Sequence, residues 1–235
     1  MRLSERLMMS AMMVTPGLRV ADVGCDHAHT SIWLVQNGRS AKCIAMDLRE
    51  GPLKAASKNV KMCGLEDMIE TRLSDGLEAL KPGEVDCILI TGMGGNLIAG
   101  ILQNGNEIVK SASELVLQPQ SDIDLVRRKV FEMGFDIVEE ACCVDYKKFY
   151  LSIHAKKGTC KDRYSESEIA YGRFLPAASD KVYKRYLDHE YRKAVRVYNS
   201  LTAEDSESAR ERIPAFEEKV RLLKETLEKF IGEDE

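Results

Sequence analysis

The sequence lacks long apolar runs, paired cysteine motifs and an excess of positive charge. No stretch of its 235 residues approaches the roughly 18 apolar residues of a membrane-spanning helix, and its start lacks the features of a signal peptide. The seven cysteines, Cys160 among them, form no C-x-x-C pair and are expected to be reduced thiols. The net charge of −4 offers nucleic acid no overall attraction, so any RNA contact requires a local basic patch. We therefore expect a cytoplasmic globular protein with no membrane partner.

Strand-like and helical segments alternate along the first half of the chain. Such alternation implies right-handed crossovers and a parallel, doubly wound α/β sheet with helices on both faces. The predicted strands are residues 18–23, 42–47, 69–73, 85–91 and 114–118, and the predicted helices are residues 4–14, 30–37, 52–63, 96–103 and 122–133, with a short turn of helix at 77–80.

The alternation breaks at two strand-like runs, residues 135–144 and 149–156, which are separated by four residues. Four residues cannot carry a parallel crossover, so the runs must form an antiparallel hairpin at the edge of the sheet. A Rossmann-like sheet closed by such a hairpin is the arrangement of class I methyltransferases. A dinucleotide-binding fold would more readily return with another helix.

A helical region follows the sheet. Strand signals stop after Gly158, which predicts two domains, residues 1–158 and residues 159–235. Apolar side chains recur there at heptad spacing, and this predicts a coiled-coil-like antiparallel helical hairpin. An intermolecular coiled coil is the alternative, and we expect a monomer or a weak dimer. The apolar positions are Leu187, Tyr191, Ala194, Tyr198 and Leu201, then Ile213, Phe216, Val220, Leu223, Leu227 and Phe230.

The segment V-A-D-V-G-C-D, which ends at Asp26, predicts a strand, a tight turn and a helix N-terminus where a ligand can bind. A second acid, Asp47, follows Gly24 by 23 positions and ends the next strand, where it can accept hydrogen bonds from a ribose. A dinucleotide fingerprint needs glycine where this chain has Asp26 and Ala28. Because a carboxylate repels a pyrophosphate but suits the amino group and sulfonium of S-adenosylmethionine (SAM), the turn favours SAM over NAD.

Two later segments also follow strand ends. Asp75, in Ser74-Asp75-Gly76, can accept from an adenine amino group, although an ordinary Asp-Gly turn is equally compatible with the sequence. The run T-G-M-G-G-N ends at Asn96, and its three glycines indicate close approach of the backbone to a ligand. The predicted cofactor-binding residues are Gly24, Cys25, Asp26, His27, Asp47, Leu48, Ser74, Asp75, Gly76, Gly92, Met93 and Gly94.

Histidine and basic residues add two further expectations. His27 and His29 have no third metal ligand nearby in sequence, so no metal site is predicted. Residues 181–199 contain six basic residues and two acids, which indicates either a solvated face or contact with an RNA backbone. The candidate RNA-binding residues are Lys184, Arg185, Arg192, Lys193 and Arg196.

Taken together, D-V-G-C-D-H-A, S-D-G-L, P-G-E-V-D and T-G-M-G-G-N-L-I resemble the bacterial tRNA (adenine-22-N1)-methyltransferase family over residues 1–158. The resemblance implies methyl transfer from SAM to N1 of adenine 22 near the D-arm of tRNA. Asp26, followed by Asp75, is then a candidate to favour the cationic adenine, and Asn96 a candidate to hold the base edge. The family's turn more often reads S-D-H-A-Y-L, so no roles carry over to Cys25 and His29.

Three alternatives remain open from the sequence. The chain is compatible with a methyltransferase of another RNA or of a small molecule, and with a non-catalytic module that binds an adenosine ligand or RNA. An NAD-dependent oxidoreductase comes third, because Asp26 and the terminal hairpin both disfavour it.

Overall fold

The computed structural model describes residues 2–158, 164–173 and 181–231, with side chains as far as residue 229. Cys160 and the side chain of Phe230 lie outside the described residues, as do residues 162–163, 174–180 and 232–235 of the region predicted to be helical. The chain forms two compact units, Met1–Lys161 and Asp162–Glu235. Within the described ranges, no helix is long and apolar enough to cross a membrane.

The first unit contains a seven-stranded mixed sheet, as the sequence predicts. Its strands are β1 (Leu18–Val23), β2 (Ser40–Asp47), β3 (Ile69–Leu73), β4 (Cys87–Met93), β5 (Glu114–Pro119), β6 (Phe135–Asp145) and β7 (Lys148–Lys157). Their order in the sheet is β3-β2-β1-β4-β5-β7-β6. The first five strands are parallel, and β7 lies antiparallel between β5 and β6. The predicted edge hairpin is confirmed, with a connection of two residues where four were expected.

Helices cover both faces of this sheet because alternate strand residues point to opposite sides. Val20 and Leu89 pack among side chains of the first three helices, whereas Ala21 and Ile90 pack against the next three. Residues 77–80 form a turn and not the predicted helix, although Leu77 still reaches the core. The helices are α1 (Glu5–Met13), α2 (His29–Gln36), α3 (Glu50–Met62), α4 (Gly95–Asn104), α5 (Asn106–Ser111), which was not predicted, and α6 (Ile123–Glu132).

The order in which successive strands are added to the sheet reverses between β1 and β4. The chain leaves β1 toward β2 and β3, then returns to place β4 on the other side of β1. In open α/β sheets, ligands bind at the carboxyl ends of the strands beside such a switch point. The turns after β1 and β4 therefore border the expected binding crevice.

The second unit is helical. It contains α7 (Glu166–Tyr171), α8 (Lys181–Ala203) and α9 (Glu207–Ile231). A three-residue link joins α8 to α9, and Lys219 Nζ lies 3.4 Å from Glu190 Oε2. These two residues are almost equally distant from the link, so the helices are antiparallel within the chain. Leu187 and Leu223 of the predicted apolar positions are fully buried. Coiled-coil packing of this pair stays a prediction.

Candidate active site at the carboxyl edge of the sheet

The turn after β1 has a strained backbone. Gly24 has φ 72°, and the non-glycine residues Asp26 and Ala28 have φ 51° and 57°. Each non-glycine residue in this region costs about 1–2 kcal/mol. Strain of this kind concentrates at ligand-binding sites, where the surrounding structure holds it in place. The geometry therefore makes this turn the first candidate for a binding site.

Three peptide N–H groups of this turn, those of Cys25, Asp26 and Ala28, are hydrogen-bonded within the protein. Cys25 N donates to the carbonyl of Met46 at 2.8 Å, and Ala28 N donates to the carbonyl of Cys25 at 2.8 Å. Asp26 N donates to Asp47 Oδ2 at 3.3 Å. A pyrophosphate site needs such N–H groups to point at the ligand. The turn is thus suited to a ligand without phosphate, such as SAM.

Asp47 is held in a fixed orientation at the end of β2. Its side chain is 7% exposed, and its two oxygens accept from the backbone N–H groups of Asp26 and of Arg49, the latter at 2.9 Å. Each carboxylate oxygen has a second lone pair. The side chain can therefore also accept from two vicinal ribose hydroxyls, as the sequence predicts.

Asp26 differs from Asp47 in its surroundings. Its side chain is 65% exposed, and its Oδ1 lies 3.7 Å from Nε2 of His27. The structure brings Asp26 and Asp47 together, with one acid facing solvent and the other buried against the turn. An exposed carboxylate in the crevice can meet a cationic group without the cost of burying its charge alone.

Cys25, His27 and His29 have distinct environments in this turn. Burial raises the pKa of the Cys25 thiol well above its usual range, so the residue is a neutral packing group. The rings of His27 and His29 stack with centroids 5.6 Å apart. Burial, and secondarily the neighbouring His27, lower the pKa of His29. Across the described residues, no group of three His, Cys, Asp or Glu side chains could hold a metal ion.

The sequence reasoning missed Asp22, which lies beneath the turn. Its carboxyl is 2% exposed and accepts a hydrogen bond from Ser31 Oγ at 2.6 Å. Burial raises its pKa to about 6, against the partial opposing effect of Ser31. The hydrogen bond ties β1 to the first turn of α2. The sequence does contain a signal for this residue, because Asp22 is an acid flanked by apolar residues within a predicted strand.

The turn after β3 is organised by Ser74. Its Oγ donates to the carbonyl of Gly76 at 3.0 Å and accepts from Ala79 N at 3.2 Å. Gly76 has φ 52° and packs against Ile101, which a Cβ at this position would approach to 3.1 Å. Asp75 projects from this turn into solvent. Its placement supports a ligand role and an ordinary Asp-Gly turn equally.

Exposed leucines collect at the same edge. Among the described residues these are Leu48, Leu73 and Leu97, which are 50–62% exposed. Leu73 is the neighbour of Asp47 in the β2–β3 register. Apolar side chains beside a ribose-binding carboxylate provide a surface for a flat base. Leu48 was among the predicted residues, whereas Leu73 and Leu97 were not.

The glycine-rich loop predicted after residue 91 spans the end of β4 and the start of α4, and it packs closely against other protein segments. A Cβ at Gly95 would lie 2.4 and 2.5 Å from the carbonyl oxygens of Ser121 and Asp122. A Cβ at Gly24 would lie 2.2 Å from Cε of Met93, so Met93 links this loop to the turn after β1. Protein neighbours thus account for the need for Gly95, where the sequence suggested a ligand.

Gly92, Gly94 and Asn96 complete this loop. Gly92 has φ 75°, and a Cβ there would lie 3.2 Å from Nη1 of Arg6. A Cβ at Gly94 would lie 3.3 Å from Ser121 Oγ. The exposed Asn96 donates from Nδ2 to Asp122 Oδ2 at 2.9 Å. This bond orients the Asn96 amide and leaves its Oδ1 available as an acceptor.

Arg6 of α1 is a second site residue that the sequence reasoning missed. Its Nη1 donates to Gln118 Oε1 at 3.2 Å, and its guanidinium carbon lies 5.5 Å from the centre of the Tyr150 ring. Its Nε lies 3.9 Å from Asp145 Oδ2. Gln118 is the last residue of the predicted strand 114–118, so the rule used for Asp47 could have identified it. No local signal marks Arg6, which lies 112 positions away.

The predicted basic residues of α8 divide into two groups. Arg185, Arg192 and Arg196 are exposed and, at spacings of seven and four, share one side of the helix. Lys193 points to an adjacent side, 3.8 Å from Glu190, and Lys184 is half-buried. The arginines therefore form a basic stripe along α8.

The strand order, the switch point and the turn beside Asp47, with three N–H groups bonded within the protein, define a class I methyltransferase. A sequence model of TrmK, the tRNA (adenine(22)-N(1))-methyltransferase family, matches residues 20–225. The chain belongs to that family.

Individual relatives agree over nearly the whole chain. A Bacillus subtilis tRNA (adenine(22)-N(1))-methyltransferase is 29% identical, with 97% of this chain and 98% of that protein covered. The crystal structure of the B. subtilis m1A22 tRNA methyltransferase superposes with a TM-score of 0.87 at 29% identity, covering 96% and 99%. An M. capricolum TrmK structure in complex with S-adenosyl-homocysteine gives 0.85 at 26% identity, covering 97% and 99%.

Proposed function

We propose that this protein transfers a methyl group from SAM to N1 of adenine 22 in tRNA. The observation that carries the proposal is the family match over residues 20–225. The geometry supports it, because the turn after β1 suits an adenosine ligand without phosphate. A tRNA substrate also favours the cytoplasmic location expected from the sequence, and we propose a monomer or weak dimer.

The cofactor would lie along the carboxyl ends of β1, β2 and β3. Asp47 would accept from both ribose hydroxyls, while Leu48 and Leu73 pack against the adenine ring. Asp26 would face the amino group and the sulfonium, whose positive charges it complements. When bound, SAM supplies a methyl group already activated by its sulfonium.

Asp75 is better placed for the cofactor than for the transferred methyl. Asp75 follows β3, whereas the glycine-rich loop, Gly92–Asn96, lies at the end of β4, three strands along in the sheet. At about 4.8 Å between strands, this separation is roughly 14 Å. We therefore assign Asp75 to the adenine amino group of SAM. Of the two acids, this leaves Asp26 as the candidate that acts on the reacting adenine.

Alignment of the acceptor base would be the protein's main contribution to rate. Adenine N1 would attack the methyl carbon as the bond from that carbon to the sulfonium sulfur breaks, so that S-adenosyl-homocysteine leaves as a neutral thioether. The adenine would then be cationic until its amino group loses a proton. The amino group of adenine is adjacent to N1. Because Nδ2 of Asn96 already donates to Asp122, Oδ1 of Asn96 is free to accept a hydrogen bond from that amino group. Asp26 can stabilise the developing positive charge. Asn96→Ala is expected to slow single-turnover methylation by about 10-fold or more, and an unchanged rate would exclude this role.

Contact with the tRNA backbone is the role proposed for the second unit. Reversing the charge of Arg185, Arg192 and Arg196 to glutamate should weaken tRNA binding and flatten its salt dependence. Lys184 and Lys193 would contribute less, given their burial and pairing. Unchanged affinity in the triple variant would leave the stripe as a solvated face.

The direct test is transfer of labelled methyl groups from SAM to unmodified tRNA, with a matched tRNA in which guanine replaces adenine 22. Incorporation that depends on adenine 22 supports the proposal. Equal labelling of both tRNAs would favour the alternative of a different RNA position. Binding of SAM without any transfer, to RNA or to small molecules, would favour a non-catalytic module.

A further inference from the structure

The closed end of the β6–β7 hairpin lies at the same edge of the sheet as the candidate site. Leu117 of β5 pairs antiparallel with Ile153 of β7. Continued along the strands, this register places residue 151 beside the end of β5, so residues 148–150 extend beyond it. The tip therefore stands about 10 Å past the carboxyl end of β5.

The two residues at this tip adopt an unfavourable backbone conformation. Asp145 pairs with Lys148, which leaves Tyr146 and Lys147 as the central residues of the turn. Their φ angles are 44° and 65°. Turns with positive φ at both central positions strongly favour Asn-Gly, and a bulky residue there is uncommon. Tyrosine and lysine thus occupy two turn positions at which Asn-Gly would make the folded hairpin more stable.

The side chains of the tip are presented to solvent. Tyr146 is 91% exposed, the highest value among the large apolar and aromatic residues exposed in the described structure. Lys147 and Lys148 are also exposed, and within the described residues no carboxylate pairs with either. The residues next to the tip, in contrast, are anchored, because Nε of Arg6 lies 3.9 Å from Oδ2 of Asp145 and the Arg6 guanidinium carbon lies over the Tyr150 ring. An anchored hairpin therefore presents an aromatic ring and two free cations.

We propose that this hairpin tip binds the tRNA, with the Tyr146 ring stacked on a base next to the target adenine and Lys147 and Lys148 against phosphates. The inference rests on the proposed function. Methylation at N1 requires the adenine to leave its pairing partner, which exposes the faces of neighbouring bases. Aromatic stacking combined with adjacent cations is the chemistry that recognises unstacked nucleotides.

The double substitution Tyr146→Asn with Lys147→Gly separates this role from a structural one. It installs the pair that the turn prefers, so the melting temperature should rise by a few degrees. Affinity for an unmodified tRNA transcript should fall about 10-fold or more, because stacking and one cation are lost. SAM affinity, measured by calorimetry, should not change. Tyr146→Phe keeps the ring and should retain tRNA affinity.

A lysine pair at the opposite edge supplies the charge control. Lys147→Ala with Lys148→Ala should lower the salt dependence of tRNA binding, whereas Lys42→Ala with Lys61→Ala should leave it unchanged. Lys42 and Lys61 are exposed near the amino ends of the strands.

Three outcomes would overturn the proposal. Unchanged tRNA affinity in the Asn-Gly variant would remove the stacking role, with the proposed function intact if the wild type still methylates adenine 22. Loss of affinity together with a lower melting temperature would assign the tip a structural role. A wild-type protein that methylates no tRNA would refute the proposed function, and the hairpin proposal with it.

Discussion

Replacing Asp47 with alanine tests the cofactor site at its most firmly oriented side chain. The carboxylate is buried, and its oxygens already accept from Asp26 N and Arg49 N, so its direction is fixed before a ligand binds. Two ribose hydroxyls would each add a hydrogen bond to a charged group, worth about 1.5–3 kcal/mol. Loss of both therefore amounts to at least about 3 kcal/mol, or about 100-fold in Kd.

Isothermal titration calorimetry with SAM and with S-adenosyl-homocysteine measures this effect directly. Asp47→Asn keeps one acceptor oxygen and should weaken binding less than Asp47→Ala does. Asp67→Asn removes an exposed carboxylate remote from the site and serves as the control, with its affinity unchanged. Melting temperatures identify any variant that has lost its fold. A folded Asp47→Ala protein with wild-type affinity would refute the assignment of this edge as the ribose site.

Other predictions address stability and acceptor positioning. Because burial raises the Asp22 pKa to about 6, the folded state holds this proton more tightly than the unfolded state does, and the free energy of unfolding should fall by about 2 kcal/mol as pH rises from 4 to 6. Asp22→Asn should abolish that decline in urea unfolding, and an unchanged profile would contradict it. Arg6→Gln should lower kcat for tRNA methylation while SAM affinity stays the same; a loss of SAM affinity would place Arg6 elsewhere. Gly95→Ala should destabilise the folded protein by about 1–3 kcal/mol in thermal unfolding. Gly100→Ala is the control, because a Cβ at this position of the same helix meets open space, and it should not destabilise the protein. Equal effects of the two substitutions would contradict the close packing of Gly95.

The sequence predicted most of the fold because the alternation of strands and helices is a local signal. Residues 18–23 and 69–73 were placed with their observed boundaries, and the two strands of the edge hairpin were recognised from the short link between them. Residues 77–80 were misassigned, because apolar spacing in four residues does not distinguish a helix from a turn whose leucines reach the core.

The cofactor edge was more predictable than the acceptor edge. Asp26 and Asp47 follow consecutive strands, and the parallel topology brings such residues together. Arg6 reaches the site only through the packing of α1, and it contacts residues more than 100 positions away. The need for glycine at position 95 depends on carbonyl groups of a different loop. Contacts of this kind depend on tertiary structure and leave no local pattern.

The central claim is transfer of a methyl group to N1 of one adenine. Its most direct measurement is mass spectrometric mapping of an unmodified tRNA transcript after reaction with the protein and SAM, with nucleoside analysis of the modified fragment. The account predicts 1-methyladenosine at position 22. A methyl group at another position, or on the amino nitrogen of adenine 22, would contradict it.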